Sequence, residues 1–345
     1  MNKLVEIIAA DAEQVCKKVD LAEISGKTVL ITGASGLVGG YFLACLKHLS
    51  QSRKFKVAAV VQSKPCSYLT EFLDYEGAKV LRGDLTDPHF CGSLPQADYI
   101  IHAAGYGQPG RFMESPVKTL QLNTSATFAL FEKLQKQGKF IFVSTSEVYS
   151  GLTRPPHRET EIGTTDPAHP RACYIEGKRC GEAICNAYRA KGVKAKSARL
   201  ALAYGPGTKP GDTRAINSFI QKALQGKITL LDQGKAKRTY CYISDAVEIM
   251  WNILLKGEEP VYNVGGFSRI TIGDLAKKIG EILNVPVTFP ENAGGVLAEA
   301  PQDVFLDMTK VQNEFRKTNY VSLDEGLGRT IEWQKILRGT NCHSN

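Results

Sequence analysis

The 345-residue chain reads as an α/β protein, with a doubly wound parallel Rossmann sheet followed by a smaller C-terminal substrate-binding lobe. Three observations predict this. From residue 27 onward short apolar runs alternate with helical stretches, the pattern of parallel strands joined by helical crossovers. A glycine-rich turn, "VLITGASGLVGG", links the first run to the first helix. After about residue 200 the alternation loosens into segments such as "YGPGTKPGD" and "YNVGGFSRITIGDL", as expected of a lobe built from loops and short helices.

The elements follow in order. Residues 1–26 read as an amphipathic helix and linker ending at Gly26. "KTVLITG" is then a buried strand and "LVGGYFLACLKHLS" a helix. "FKVAAVVQ", "AKVLRGDL" and "ADYIIHAAG" are the next strands, "TLQLNTSATFALFEKLQKQG" a single helix and "KFIFVSTSEVY" another strand. "RACYIEGKRC" is helical, and a further helix covers 213–226. The expected division is a helical extension over 1–26, the Rossmann domain over 27–200, and a tail over 336–345. Residues 201–335 form mainly the substrate lobe, with some segments returning to the Rossmann domain.

Composition narrows the function. Apolar residues make up 43% and charged residues 23%, ordinary for a soluble globular protein. The net charge is +8, but Lys and Arg are scattered among acids and only small clusters such as Lys235, Lys237 and Arg238 stand out. No nucleic-acid partner is expected from such a distribution. Nine cysteines, an odd number with no CxxC pair, argue against a disulfide framework and a zinc site. They point to reduced thiols in the cytoplasm, with no metal. The N-terminus lacks the apolar core of a signal peptide, and no run reaches membrane-spanning length.

Gly33, Gly36 and Gly39 have the spacing GxxGxxG between a strand and a helix. Glycines there allow a tight turn and let the backbone approach a pyrophosphate, held by the free N–H groups at the helix N-terminus. A dinucleotide cofactor is therefore expected. The second strand ends in Gln62, Ser63 and Lys64, without the acid that reads an adenosine ribose. NAD is favoured, since a self-recycling cycle needs no pool of reductant. NADP stays open through Lys64. Asp84 in "RGDL" is placed to accept from the adenine amino group, and His102–Gly105 ("HAAG") closes the next strand, with His102 as a packing residue.

Tyr174 and Lys178 lie four apart, on one helical face. A free tyrosine is a poor base at neutral pH. A neighbouring lysine and a nicotinamide cation favour the phenolate, so Tyr174 is expected to take a hydroxyl proton as hydride leaves. Thr145, Ser146 and Glu147 occupy the C-terminal end of a strand, where open α/β sheets place their ligands.

Together, TGxxGxxG at 32–39, "GDL" at 83–85, "HAAG" at 102–105, YxxxK at 174–178, "YGP" at 204–206 and "YISDAV" at 242–247 resemble the extended short-chain dehydrogenase/reductase (NAD-dependent epimerase/dehydratase) family over residues 27–335. "SPVKTLQLNT", "STSEVY" and "PRACYIEGKRCGEA" are similar to the corresponding segments of its UDP-glucuronate decarboxylases. The resemblance implies oxidation of a nucleotide sugar at C4 by a bound nicotinamide cofactor, and decarboxylation of a UDP-uronic acid. It implies catalytic roles for Tyr174, Lys178, Thr145, Ser146, Glu147 and Arg238. Tyr174 would be the base, Lys178 would bind the nicotinamide ribose and tune Tyr174, and Thr145 would contact the substrate hydroxyl. Glu147 and Arg238 would handle the C5 proton and the carboxylate. Cofactor contacts are expected from Gly33, Ser35, Gly36, Leu37, Val38, Gly39, Gln62, Asp84, Leu85, Ala103, Ala104, Gly105, Asn123, Ser144, Tyr174 and Lys178. Substrate contacts are expected from Arg111, Thr145, Arg214 and Arg238.

Ser146 stands where related 4,6-dehydratases carry an acid, which favours decarboxylation. Three positions depart from the decarboxylases: Leu202 replaces an Asn, Gly207 an Arg, and Phe112 a Tyr. A 4-epimerase or 4,6-dehydratase is the alternative, and an NAD(P)-binding protein without turnover the second. A homodimer through a four-helix bundle is also implied. Its faces would come from Ile175, Ala183, Ile184 and Ala187 on the tyrosine helix and from Leu120, Phe128, Leu130 and Leu134 on the preceding one.

Overall fold

The computed structural model describes residues 2–209, 211–291 and 303–339. The N-terminal half runs α1 (Lys3–Lys18), β1 (Thr28–Thr32), α2 (Leu37–Leu49), β2 (Lys56–Val61), α3 (Ser67–Glu71), β3 (Ala78–Arg82), α4 (Pro88–Ser93), β4 (Ala97–His102), α5 (Pro109–Glu114), α6 (Pro116–Asn123), α7 (Ser125–Phe131) and β5 (Leu134–Thr145). There follow α8 (Ala172–Ala190), β6 (Lys194–Leu200), β7 (Leu202–Tyr204), α9 (Ala215–Ala223), β8 (Ile228–Thr229), β9 (Lys237–Tyr242) and α10 (Ile243–Lys256). The chain closes with β10 (Val261–Val264), β11 (Ser268–Thr271), α11 (Ile272–Leu283), β12 (Val287–Thr288), β13 (Asp303–Val304), α12 (Thr309–Phe315) and α13 (Leu323–Gly339).

Seven strands form one parallel sheet in the order β10-β6-β5-β4-β1-β2-β3. The order reverses between β1 and β4, and a crevice opens at such a switch point, beyond the carboxyl ends of the strands. The central strands are buried on both faces and read as apolar runs (Val29, Leu30 and Ile31 in β1; Phe140, Ile141 and Phe142 in β5). The second lobe holds β11, β9 and β13, with β7 paired to β9, and the short pair β8–β12. Strand β10 pairs with β6, so this part of the C-terminal half returns to the main sheet.

The N-terminal segment is a layer of the main domain rather than an appendage. Leu4, Val5, Ile8, Ala12 and Val15 of α1 are buried in the same core as Phe42 of α2 and Trp251 of α10. Asp11 sits on that inward face. It accepts from the hydroxyls of Tyr41 (2.8 Å) and Tyr242 (2.7 Å) and pairs with Arg329 of α13. At the other end α13 runs to Gly339, so residues 336–339 are helical, while 340–345, Cys342 included, lie outside the described residues.

The single helix expected over "TLQLNTSATFALFEKLQKQG" is three pieces. It breaks at Thr124 (φ −116°, ψ −81°), and its last residues belong to β5. The hydroxyls of Thr119, Thr124 and Thr127 donate to the carbonyls of Ser115, Leu120 and Asn123 four residues earlier. Such back-bonding competes with the regular helix and bends it. Leu134 pairs with Ala97 of β4 instead. The expected dimer face changes as well. Ile175, Ile184 and Leu130 are buried inside the subunit and Leu134 is in a strand, which leaves Val117, Leu120, Phe128, Ala183 and Ala187 exposed.

Candidate active site

A cavity of about 1450 Å³ runs from the glycine loop across the ends of β1, β4 and β5 to the second lobe. Gly33 has φ +67°, and a Cβ there would stand 2.5 Å from the carbonyl oxygen of Ala103. Only glycine lets the loop turn while lying directly on the end of β4. The amides of Leu37 and Val38, in the first turn of α2, have no helical acceptor and are free for an anion.

Every expected cofactor contact except Asn123 lines this cavity, as do Arg111, Thr145, Ser146, Glu147, Arg214 and Arg238. Asn123 lies one layer back, wedged against Gly177 of α8, and donates to the carbonyl of Thr119 (2.7 Å). It is a helix-packing residue here because α6 and α8 meet at that point. Lys64 is exposed and outside the lining. Asp84 lines the cavity with both oxygens engaged: one accepts from the Thr86 amide (3.0 Å) and hydroxyl (2.8 Å), the other pairs with Lys118 (2.5 Å). His102 is fully buried between the Thr32 hydroxyl (2.7 Å) and the Leu122 carbonyl (3.1 Å). Burial holds it neutral with a pKa of about 3, as suits a packing residue.

Tyr174 and Lys178 project from α8 into the cavity wall, both buried. The helix can approach β5 closely because residue 181 is glycine; a Cβ there would meet the Phe142 ring at 2.3 Å. The Lys178 ammonium donates to the Val143 carbonyl (2.7 Å) and lies 5.9 Å from the centre of the Tyr174 ring. Burial pulls Lys178 down to about 7, against a smaller upward pull from Glu182. Burial also pushes Tyr174 up to about 12, opposed by its hydrogen bond with Thr145. The expected lowering of the phenol by Lys178 is therefore absent from the protein alone, because desolvation outweighs the nearby charges. The Tyr174 ring stacks on Phe112, 4.6 Å between centres and 4° from parallel.

The turn after β5 carries Thr145, Ser146 and Glu147, and Thr145 Oγ1 accepts from the Glu147 amide (3.2 Å). Beneath it lies a buried network. Arg199 of β6 clasps Glu182 of α8 (3.0 and 2.9 Å), Ser144 donates to Glu182 (2.5 Å), and Arg199 reaches the Tyr149 hydroxyl (2.9 Å). Glu147 is gripped by Arg171 through both carboxylate oxygens, with Nε at 3.1 Å from Oε2. The same guanidinium lies 5.6 Å from the centre of Phe112.

Across the cavity Arg238 of β9 donates to the Lys237 carbonyl (2.7 Å) and makes no ion pair among the described residues. Arg214 is committed to Asp212 (2.6 Å), and Arg111 is exposed on the rim. Sequence reasoning missed Arg171, Asp212 and Lys209, all in the lining. Arg171 had a signal, three residues before Tyr174 and one helical turn from it. Asp212 sits two before Arg214, and only the fold brings Lys209 to the glycine loop.

The model of the NAD dependent epimerase/dehydratase family matches residues 29–265. The chain belongs to that family. A UDP-glucuronic acid decarboxylase of Xenopus tropicalis is 29% identical over 322 residues, 91% of this chain and 73% of that protein. A UDP-glucose 4-epimerase of Thermotoga maritima, solved with UDP-glucose, is 28% identical with a TM-score of 0.75, covering 91% of this chain and 99% of the other. A dTDP-glucose 4,6-dehydratase from Streptomyces venezuelae, at 21% identity and TM-score 0.77 over 91% and 98%, shares the fold. The cofactor of the family is NAD, and the residues present fit it. The free amides at the start of α2 face the cavity, and among the described residues the buried Lys178 ammonium finds one carbonyl for its three protons.

Lys178 also leaves a trace in stability. Its pKa lies below the unfolded value of 10.5, at about 7, so the folded state disfavours its proton. The destabilisation is complete below pH 7 and is relieved as pH rises toward 10.5. In cofactor-free protein, wild type should gain stability relative to Lys178→Met between those limits, by at most about 1.4 kcal/mol per pH unit. Urea unfolding of both at pH 7 to 10 measures this. A pH-independent difference would show that Lys178 titrates normally.

Proposed function

We propose that this protein decarboxylates a UDP-uronic acid after oxidising it at C4, in the manner of conversion of UDP-glucuronate to UDP-xylose. The observation that carries the reading is the division of labour between two arginines. Glu147 is neutralised by Arg171, and Arg238, facing the same space, makes no ion pair among the described residues. An unpaired guanidinium in a partly buried cavity is suited to a substrate carboxylate.

NAD, which the amides at the start of α2 and the Lys178 ammonium would hold, would supply the redox chemistry as hydride acceptor and donor at C4, and its positive charge would favour the Tyr174 phenolate. The chain's own groups do the rest. Thr145 holds the C4 hydroxyl and Tyr174 takes its proton. Lys178 holds the ribose and, once charged, stabilises the phenolate. Arg238 receives the carboxylate, which leaves as CO₂ from the β-keto acid. The resulting enolate at C5 takes up a proton from solvent, delivered beside Glu147, and Tyr174 returns its proton to the C4 oxygen. Ser146, a poor acid, gives no help to the loss of a 6-hydroxyl, which argues against a dehydratase. The nucleotide-sugar class is supported by the relatives described above.

Tyr174→Phe keeps the stack on Phe112 and removes the proton acceptor. Turnover should fall by roughly 10²–10⁴ with little change in substrate affinity. Glu147→Gln should still oxidise C4, so single-turnover absorbance in the near ultraviolet should show reduced cofactor that persists. Near-wild-type turnover in Tyr174→Phe would exclude it as the base.

The protein is also proposed to be a homodimer. Val117 (68% exposed), Leu120 (39%) and Phe128 (50%) form an apolar patch on α6 and α7, beside the exposed Ala183 and Ala187 of α8. Two such faces related by a two-fold axis bury one another. Phe128→Glu should convert the dimer to monomer in sedimentation. A wild-type monomer at micromolar concentration would contradict the assignment.

A further inference from the structure

The loop after β7 belongs to the second lobe yet is fastened over the start of α2. The Tyr68 hydroxyl donates to the carbonyl of Gly207 (3.3 Å), Trp333 Nε1 donates to that of Thr208 (3.2 Å), and the Thr208 hydroxyl donates to that of Gly205 (2.9 Å). Gly207, at φ +91°, lies so close to α2 that a Cβ would stand 3.4 Å from the Leu37 side chain. These anchors fix where the next side chain points. Lys209 reaches back across the cavity, and its ammonium donates to Ser35 Oγ (3.3 Å), inside the glycine loop.

Lys209 lines the cavity and makes no ion pair among the described residues. Nor does Arg111, the next cation on the same rim. Partial enclosure lowers the Lys209 pKa, Arg111 lowers it further, and among the groups facing it only the Cys66 thiol opposes them. Lys209 thus meets the glycine loop beside the free amides of Leu37 and Val38, with Arg111 acting on it electrostatically and no ion-pair partner among the described residues.

We propose that Lys209 is a clasp carried by the second lobe, which closes over the glycine loop and grips the pyrophosphate of the bound dinucleotide. The proposal rests on the NAD reading of the cavity and adds a residue from outside the Rossmann domain to it. Its consequence is retention: a cofactor held from both lobes leaves slowly and serves many turnovers.

Calorimetric titration of cofactor-stripped wild type, Lys209→Met and Lys209→Arg with NAD, ADP-ribose, adenosine and NADP tests it. Lys209→Met should weaken NAD and ADP-ribose alike by about ten- to a hundredfold, the worth of one charge-assisted hydrogen bond. Adenosine binding should be unchanged, Lys209→Arg should stay near wild type, and the Met variant should lose its dinucleotide on desalting. Unchanged NAD and ADP-ribose affinity in Lys209→Met would overturn the proposal. A loss confined to NADP would overturn it too, by placing the lysine at a ribose phosphate. Wild type that binds none of the dinucleotides would instead overturn the cofactor reading beneath it.

Discussion

The site depends on how closely α8 lies against the end of β5. Gly181 leaves room for the Phe142 ring, and the Lys178 ammonium reaches the Val143 carbonyl through that gap. A larger residue at 181 would lift the helix from the strand and move Tyr174 and Lys178 with it. The contact is secured from below by the buried Glu182–Arg199 pair, which also takes hydrogen bonds from Ser144 and gives one to Tyr149. Breaking such a pair from one side costs about 3–5 kcal/mol, since the remaining charge stays buried. The same network thereby fixes the turn that carries Thr145, Ser146 and Glu147. One packing contact positions Tyr174, Lys178 and the turn at 145–147 together.

Burial gives these groups their chemical character and makes them dependent on ligands. In the protein alone Tyr174 is held near 12 and Lys178 near 7, both shifted toward their neutral forms. Tyr174 is a poor proton acceptor near neutral pH until charges arrive with the cofactor and substrate, whereas Lys178 titrates close to neutrality. Arginine is used in two ways around them. Arg171 is spent on Glu147 and, over Phe112, borders the ring that Tyr174 stacks on. Arg238 makes no ion pair among the described residues, with Glu147 and Asp303 acting on it only at longer range.

Much of this was legible in the sequence, for identifiable reasons. The seven-stranded sheet was foreshadowed by apolar runs and crossovers, because strands buried on both faces have few alternatives to Val, Ile and Phe. The glycine loop and the Tyr174–Lys178 pair were legible because their spacing is itself the geometry. What escaped were contacts between distant segments. Arg171 on Glu147, Lys209 on Ser35 and Arg199 on Glu182 join elements whose proximity only the fold establishes. The helix at 119–138 was misread because its threonines bond their own backbone, which periodicity does not register. Asn123 was misplaced for a related reason: its position on α6 faces α8 rather than the crevice.

The central claim is that oxidation at C4 in this cavity leads to loss of the substrate carboxylate. Purified protein incubated with UDP-glucuronate labelled at C6 tests it most directly, with the gas phase counted and the nucleotide sugar weighed by mass spectrometry. The account predicts labelled CO₂ released in equal amount to a UDP-pentose, with no dinucleotide consumed. Conversion to a UDP-hexuronate isomer that keeps its label would contradict it, and so would UDP-glucuronate recovered unchanged.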